Sequence, residues 1–146
     1  MKRKIVFIIG VILILVLVFV SGCGNKTTTT NTTPTTPVEP SYAGGMTDNI
    51  MTSINEGNYI NFSRDLDQTM KAALPETAFQ GLKSQLQDKI GDYVSKQFYT
   101  TVVQEDITTV AYIAKYTKEA NVTVTVSFRT VDGKNLVAGL HFPSLQ

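Results

Sequence analysis

Hydrophobic residues follow three regimes along this chain. From Ile5 to Val20 they form an apolar run interrupted only by Gly10 and preceded by Lys2, Arg3 and Lys4. From Gly24 to Gly45 they nearly vanish, with only Val38, Tyr42 and Ala43 left. From Met46 they return with a regular period, first near 3.6 and then 2, the spacings of a helix face and of a sheet face. Thr47 and Asp48 stand ahead of Ile50, Met51 and Ile54, and Gly57 follows, which predicts a short capped helix. Tyr59, Phe62, Leu66, Met70 and Ala73 share one stripe of a second helix, with Asn61, Arg64, Asp65 and Gln68 facing away and Asp67 as its weakest point. Pro75 and Glu76 open a third, since proline suits a first turn and an acid favours the positive helix end. Ala78, Phe79, Leu82, Leu86 and Ile90 are its stripe, and Gly91 closes it.

Beyond Gly91 the alternation predicts four strands, Tyr93–Gln104, Ile107–Thr117, Val122–Thr130 and Lys134–Phe142. Val122, Val124, Val126 and Phe128 alternate with Thr123, Thr125, Ser127 and Arg129, and the last strand carries Leu136, Ala138, Leu140 and Phe142 on even positions. A two-residue Asp132-Gly133 turn would set even positions against odd ones and split these apolar faces. A three-residue Val131-Asp132-Gly133 turn with a bulge at Gly133 would keep them together, and is the expectation. The same parity favours an odd loop over 117–121. Three helices followed by this meander predict an α+β domain, three N-terminal helices packed on one side of a curved four-stranded antiparallel sheet. Its open face would carry Thr123, Thr125, Ser127, Arg129, Val137 and His141, with His141 opposite Thr123.

The N-terminal run is a basic start followed by 16 apolar residues, the layout of a secretory signal and shorter than the roughly 20 residues of a comfortable membrane span. Val20-Ser21-Gly22-Cys23 then resembles the lipobox of prokaryotic lipoproteins, a branched apolar residue and two small ones ahead of a cysteine. That resemblance implies cleavage after residue 22 and lipid on Cys23, two or three acyl chains being needed because one anchors only marginally. The alternative is an uncleaved signal-anchor helix over 5–22. Both leave the basic start inside and export everything beyond Cys23, to be held at the outer surface of the cell membrane.

Residues 23–45 are expected to be the lipidated cysteine and a disordered Thr/Pro-rich tether. Pro34, Pro37 and Pro40 recur every third residue, which biases it toward an extended spacer of roughly 70 Å. Asn25, Asn31, Asn61 and Asn121 each head an N-x-Ser/Thr sequon, relevant if the host glycosylates exported proteins. Residues 46–146 form a single domain long enough for its own core.

Ile50–Tyr59 with its NEGNY ending, Ile90-Gly91-Asp92-Tyr93, and Gly133-Lys134 with Val137-Ala138-Gly139-Leu140-His141-Phe142 resemble the family catalogued as domain of unknown function 3887. The resemblance implies a nuclear-transport-factor-2-like (cystatin-like) roll and no established activity. Family members are often exported lipoproteins and also stand beside hydrolase domains, which implies an accessory role. Rolls of this kind enclose a cone between helices and sheet, and the candidates to line it are Tyr59, Phe62, Phe79, Tyr112 and Tyr116. Rolls of this kind also commonly dimerise through the open sheet face, here polar enough for a weak homodimer only.

Charge and chemistry narrow the function further. The chain has 13 Lys and Arg against 12 Asp and Glu, one His, one Cys and no Trp, too balanced to suggest a nucleic-acid partner. Loss of Lys2, Arg3 and Lys4 with the leader would leave the mature chain at −2. One Cys and one His exclude a disulfide framework and a Cys/His zinc cage. Asp65 and Asp67, two apart on a helix, do not face each other and are expected as a solvated face and a helix break. No nucleophile elbow, phosphate loop or calcium loop is present. The expectation is therefore a non-enzymatic envelope lipoprotein without cofactor or metal. It would bind a small apolar ligand or an envelope protein, or else serve as a structural, self-associating component. A small enzyme using the cone is the least favoured alternative.

Overall fold

Helix α1 spans Ala43–Glu56 in a computed structural model that describes residues 36–143. The expected leader, Cys23, Asn25, Asn31 and the expected tether up to Thr35 lie outside the described residues. Among the described residues no helix is long and apolar enough to cross a membrane. α1 begins ahead of the start expected behind Thr47 and Asp48, which lie within it rather than capping it. The buried stripe explains the extension: Ala43 and Thr47, both wholly buried, continue the row of Ile50, Met51 and Ile54 backward by two turns. Tyr42 meets Phe128 edge-on at 5.3 Å, and Thr101 Oγ1 donates to the Val38 carbonyl. The helix closes at Gly57, whose N–H reaches Ile54 O while that of Asn58 reaches Ser53 O, a Schellman ending.

The second expected helix is two, so the described residues hold four helices rather than three. α2, Tyr59–Arg64, is capped by Asn58, and α3, Gln68–Ala73, by Asp67, whose Oδ1 accepts the Met70 N–H at 2.7 Å. An Asp that caps the following turn competes with continuation of the preceding one. The break is fixed from outside as well. The Val137 N–H donates to Asp65 O and the Asp67 N–H donates to Val137 O, both at 2.8 Å, while Leu66 between them is buried. α4 spans Glu76–Lys89 behind Pro75, as the sequence pattern anticipates.

Strands β1 Tyr93–Gln104, β2 Ile107–Tyr116, β3 Val122–Val131 and β4 Lys134–His141 form one antiparallel sheet in sequence order. The odd 117–121 loop aligns Val110, Tyr112 and Ala114 with Val126, Val124 and Val122, and all six are buried. The β3–β4 turn differs from expectation. Val131 pairs with Lys134 across a two-residue loop, and Asp132 and Gly133 take φ of 50° and 76°, the left-handed pair of a type I′ turn. The parity conflict is resolved further along, where Phe128 pairs with Val137 but Ser127 with Gly139, leaving Ala138 as a bulge. Val137, expected on the open face, is therefore wholly buried beside Phe128, and Leu136 lies opposite Arg129 instead of among the apolar residues. His141 faces Thr125, not Thr123. Two further register shifts place bulges at Val94 and Tyr99 of β1.

Gly91 and Gly133 both have left-handed φ, 85° and 76°, but different surroundings. A Cβ at Gly91 would collide with Thr117 Oγ1 and come within 3.1 Å of the Lys118 backbone nitrogen, while one at Gly133 would meet nothing within 4 Å. Gly133→Ala should cost about 1 kcal/mol from backbone strain alone. Gly91→Ala should cost about 3 kcal/mol, because the α4–β1 corner must also move. Urea denaturation of the two variants checks the difference, and equal losses would show the corner to be compliant.

Candidate functional site

The five aromatic candidates separate into two groups. Tyr59, Phe62 and Phe79 join α2 to α4, with ring centroids 4.6 Å apart for Phe62–Phe79 and 5.6 Å for Tyr59–Phe79. Phe62 and Phe79 are wholly buried, and the Tyr59 hydroxyl donates to the Leu74 carbonyl at 3.2 Å. Tyr112 and Tyr116 follow each other on the helix-facing side of β2. Tyr116 meets Tyr93 edge-on and points its hydroxyl at Met51 Sδ, 3.4 Å away. Tyr112 packs edge-on against Phe98 and donates to Glu39 Oε1 at 2.7 Å.

Polar groups the sequence reading did not single out surround this second group. Lys96 reaches inward from β1 with its side chain only 10% exposed. Its ammonium pairs with Asp48 Oδ2 at 2.7 Å and lies 5.2 Å from the Tyr112 ring centroid. Asp48 also accepts from the Tyr93 hydroxyl at 2.8 Å, and Asn55 holds the Tyr93 backbone at both N–H and C=O. Burial raises the ionisation of Tyr93, Tyr112 and Tyr116 well above the ordinary tyrosine range, with the carboxylates of Asp48 and Glu39 adding to it for Tyr93 and Tyr112. These hydroxyls are neutral donors that tie β1 and β2 to α1 and the segment before it.

Of two surface hollows, Lys96 lines the smaller, and none of the five aromatic residues lines either. The smaller, about 190 Å³, is bordered by Ser95, Gln97, Ile113, Lys115 and Asn121. Asn121 is exposed there, in the loop before β3, whereas Asn61 is half-buried in α2. The larger, about 470 Å³, lies between the α2–α3 region and the turn end of β3 and β4. Arg64, Lys71, Arg129 and Lys134 line it, together with Asp67 and the apolar Leu66 and Leu136. Asp67 and Asp65 are both at the helix break, but Asp67 is buried rather than solvated. Asp65 accepts from Arg64 Nε and Nη2 and from Asn49. His141 is exposed on β4. Among the described residues no three His, Cys, Asp or Glu side chains are grouped to hold a metal ion.

The cluster's basic residues are far apart in sequence, which is why the pattern did not reveal them. One signal was present: Arg129 interrupts the small polar series Thr123, Thr125, Ser127 on its strand face.

The raised tyrosines generate a pH dependence. In the unfolded chain they lose protons near pH 10, while in the fold they keep them, so the folded state binds more protons above pH 10. Stability should be level below that pH and fall as pH rises above it. Absorbance of tyrosinate should show three of the six tyrosines ionising together with unfolding rather than before it. Free titration of all six in a still-folded chain would contradict the burial of these hydroxyls.

No curated protein matches the chain. A family model described as protein of unknown function (DUF3887) matches residues 47–140, from within α1 almost to the end of β4. This span is more than half of the sequence and takes in the helices, the meander and the bulge, so the chain belongs to that family.

Proposed function

We propose that this protein is an exported lipoprotein, attached through lipid on Cys23 to the outer surface of the cell membrane, whose domain is a non-catalytic binding or accessory module. Val20-Ser21-Gly22-Cys23 behind a basic, apolar leader supports the attachment. The observation that carries the binding role is the open cleft of about 470 Å³, within the size range of ligand sites and lined by cations that have not all found partners. The aromatic candidates for an internal pocket are packed against one another or against Phe98, Tyr93 and Met51, which favours recognition at the surface over an apolar ligand in the cone. At the finer level we read the fold as a nuclear-transport-factor-2-like (cystatin-like) roll, since bulges at Val94, Tyr99 and Ala138 bend the sheet.

A weak homodimer through the open sheet face is the second reading. Ile107, Ile113 and Leu136 are half-exposed there among threonines, apolar enough for transient contact and too polar for an obligate one.

Mass spectrometry of the membrane fraction tests the attachment. The mature N-terminal peptide should begin at Cys23 and carry two or three acyl chains, and Cys23→Ala should abolish the modification. An unmodified Cys23 still joined to residues 1–22 would overturn the lipoprotein reading in favour of a signal anchor. Sedimentation of the detergent-solubilised chain over a concentration series addresses the second reading, which fails if the protein stays monomeric throughout.

A further inference from the structure

We infer that the cleft between the α2–α3 region and the β3–β4 turn binds the phosphate group of a phosphate ester. This inference rests on the reading of the domain as a binding module and names the ligand chemistry. Of the 13 basic residues, Lys2, Arg3, Lys4 and Lys26 precede the described residues, and four of the other nine line this one cleft. Asp67 is the one carboxylate among its lining residues.

The state of each charge matters more than the count. Arg64 is already held by Asp65, its Nη2 at 3.0 Å and Nε at 3.1 Å from the carboxylate oxygens. Lys71 and Lys134 have no ion-pair or hydrogen-bond partner for their ammonium groups among the described residues. Arg129 faces Asp67 Oδ2 at 3.6 Å, too far for a hydrogen bond, and its Nε is sealed from solvent without an acceptor. The Arg129 side chain as a whole is 40% exposed, so part of it remains open to solvent. Asp65 offsets the charge of Arg64 and Asp67, whose Oδ1 also accepts the Met70 N–H, offsets that of Arg129, so Lys71 and Lys134 are left uncompensated. The cleft therefore keeps an excess of positive charge while residues 36–143 as a whole are acidic.

A multiply charged tetrahedral anion meets this arrangement better than a carboxylate does. Its oxygens point in several directions and can engage an Arg and two Lys at once, whereas a carboxylate offers two oxygens in one plane. Val131, exposed, and Leu136, half-exposed, leave apolar surface beside the cations for the organic part of an ester. Two sources share this chemistry, a soluble phosphate monoester and a phospholipid whose headgroup is a phosphate monoester.

The test uses the full chain in neutral detergent, titrated with glycerol 3-phosphate, with dihexanoyl phosphatidic acid and with acetate, and read by calorimetry. Saturable binding with a dissociation constant at or below about 1 mM is expected for at least one of the two phosphate probes. It should weaken roughly tenfold or more in the Lys71→Gln/Lys134→Gln double variant, stay unchanged in Lys83→Gln/Lys115→Gln, and fall with added salt. Circular dichroism establishes that the variants are folded. Saturation by glycerol 3-phosphate supports a soluble ester, and saturation by the short-chain lipid alone supports a headgroup. Absence of saturation with both, equal binding by acetate, or equal binding by the double variant overturns the inference. Detergent makes the measurement independent of acylation, so failure here leaves the lipoprotein reading standing and the converse also holds.

Discussion

At Val137 the outer edge of the sheet is joined to the helical layer by two backbone hydrogen bonds of 2.8 Å, one to Asp65 O and one from Asp67 N. β4 is an edge strand, and its outward N–H and C=O groups need partners or water. Val137 meets that need from the helix break, and its side chain is at the same time wholly buried against the core. Both conditions depend on register. The Asp132-Gly133 turn sets Val137 opposite Phe128, and the bulge at Ala138 then returns Leu140 to the side of Val126. Without the extra residue, a type I′ turn would turn the far half of β4 outward. The same bridge fixes where α2 stops and where Asp67 caps α3, and so brings Arg64 and Lys71 beside Arg129 and Lys134.

The strands were legible to within a residue because a half-buried antiparallel strand writes its period of 2 directly into the sequence. Gly57, Pro75 and Gly91 marked helix ends for local steric reasons and were equally readable. The bulge was not. Ala138 is small and apolar, and the sequence around it alternates as smoothly as a regular strand, so apolar parity pointed to a wider turn. The preference of Asp-Gly for two left-handed residues outweighed that parity, and a bulge two-thirds of the way along β4 absorbed the mismatch. The split of the second helix was legible only as a weak point at Asp67, because the decisive partner, Val137, is 70 residues away.

The two charged clusters show why site chemistry was harder to read than fold. Lys96 sits in a strand whose neighbours Ser95 and Gln97 are polar, and only the bulges of β1 make it face α1. There its stem covers the Tyr112 ring and its ammonium meets Asp48, so it acts as packing and as charge together. Arg64, Lys71, Arg129 and Lys134 each look like an ordinary solvated charge in sequence. Topology alone makes them one feature. These clusters differ in consequence: the Lys96 group is closed on itself by Asp48, Tyr93 and Glu39, and the cleft group is not.

That difference bears on where a domain of this size can hold a recognition site. A single core of about 100 residues without an internal disulfide has little stability to spare, and an internal cavity costs on the order of 24 cal/mol per Å³. An empty interior of about 300 Å³, the lower end of ligand pockets, would then remove roughly 7 kcal/mol, comparable to the whole stability of a small domain. Filling the space with Phe62, Phe79, Tyr112 and Tyr116 avoids that loss and commits the two tyrosine hydroxyls to structural partners. Surface cations carry no such penalty, because water solvates them until a ligand arrives. For the binding role proposed above, a small domain that keeps its core filled favours recognition at its surface, and the cleft next to Leu66 and Leu136 holds Lys71 and Lys134 without partners among the described residues.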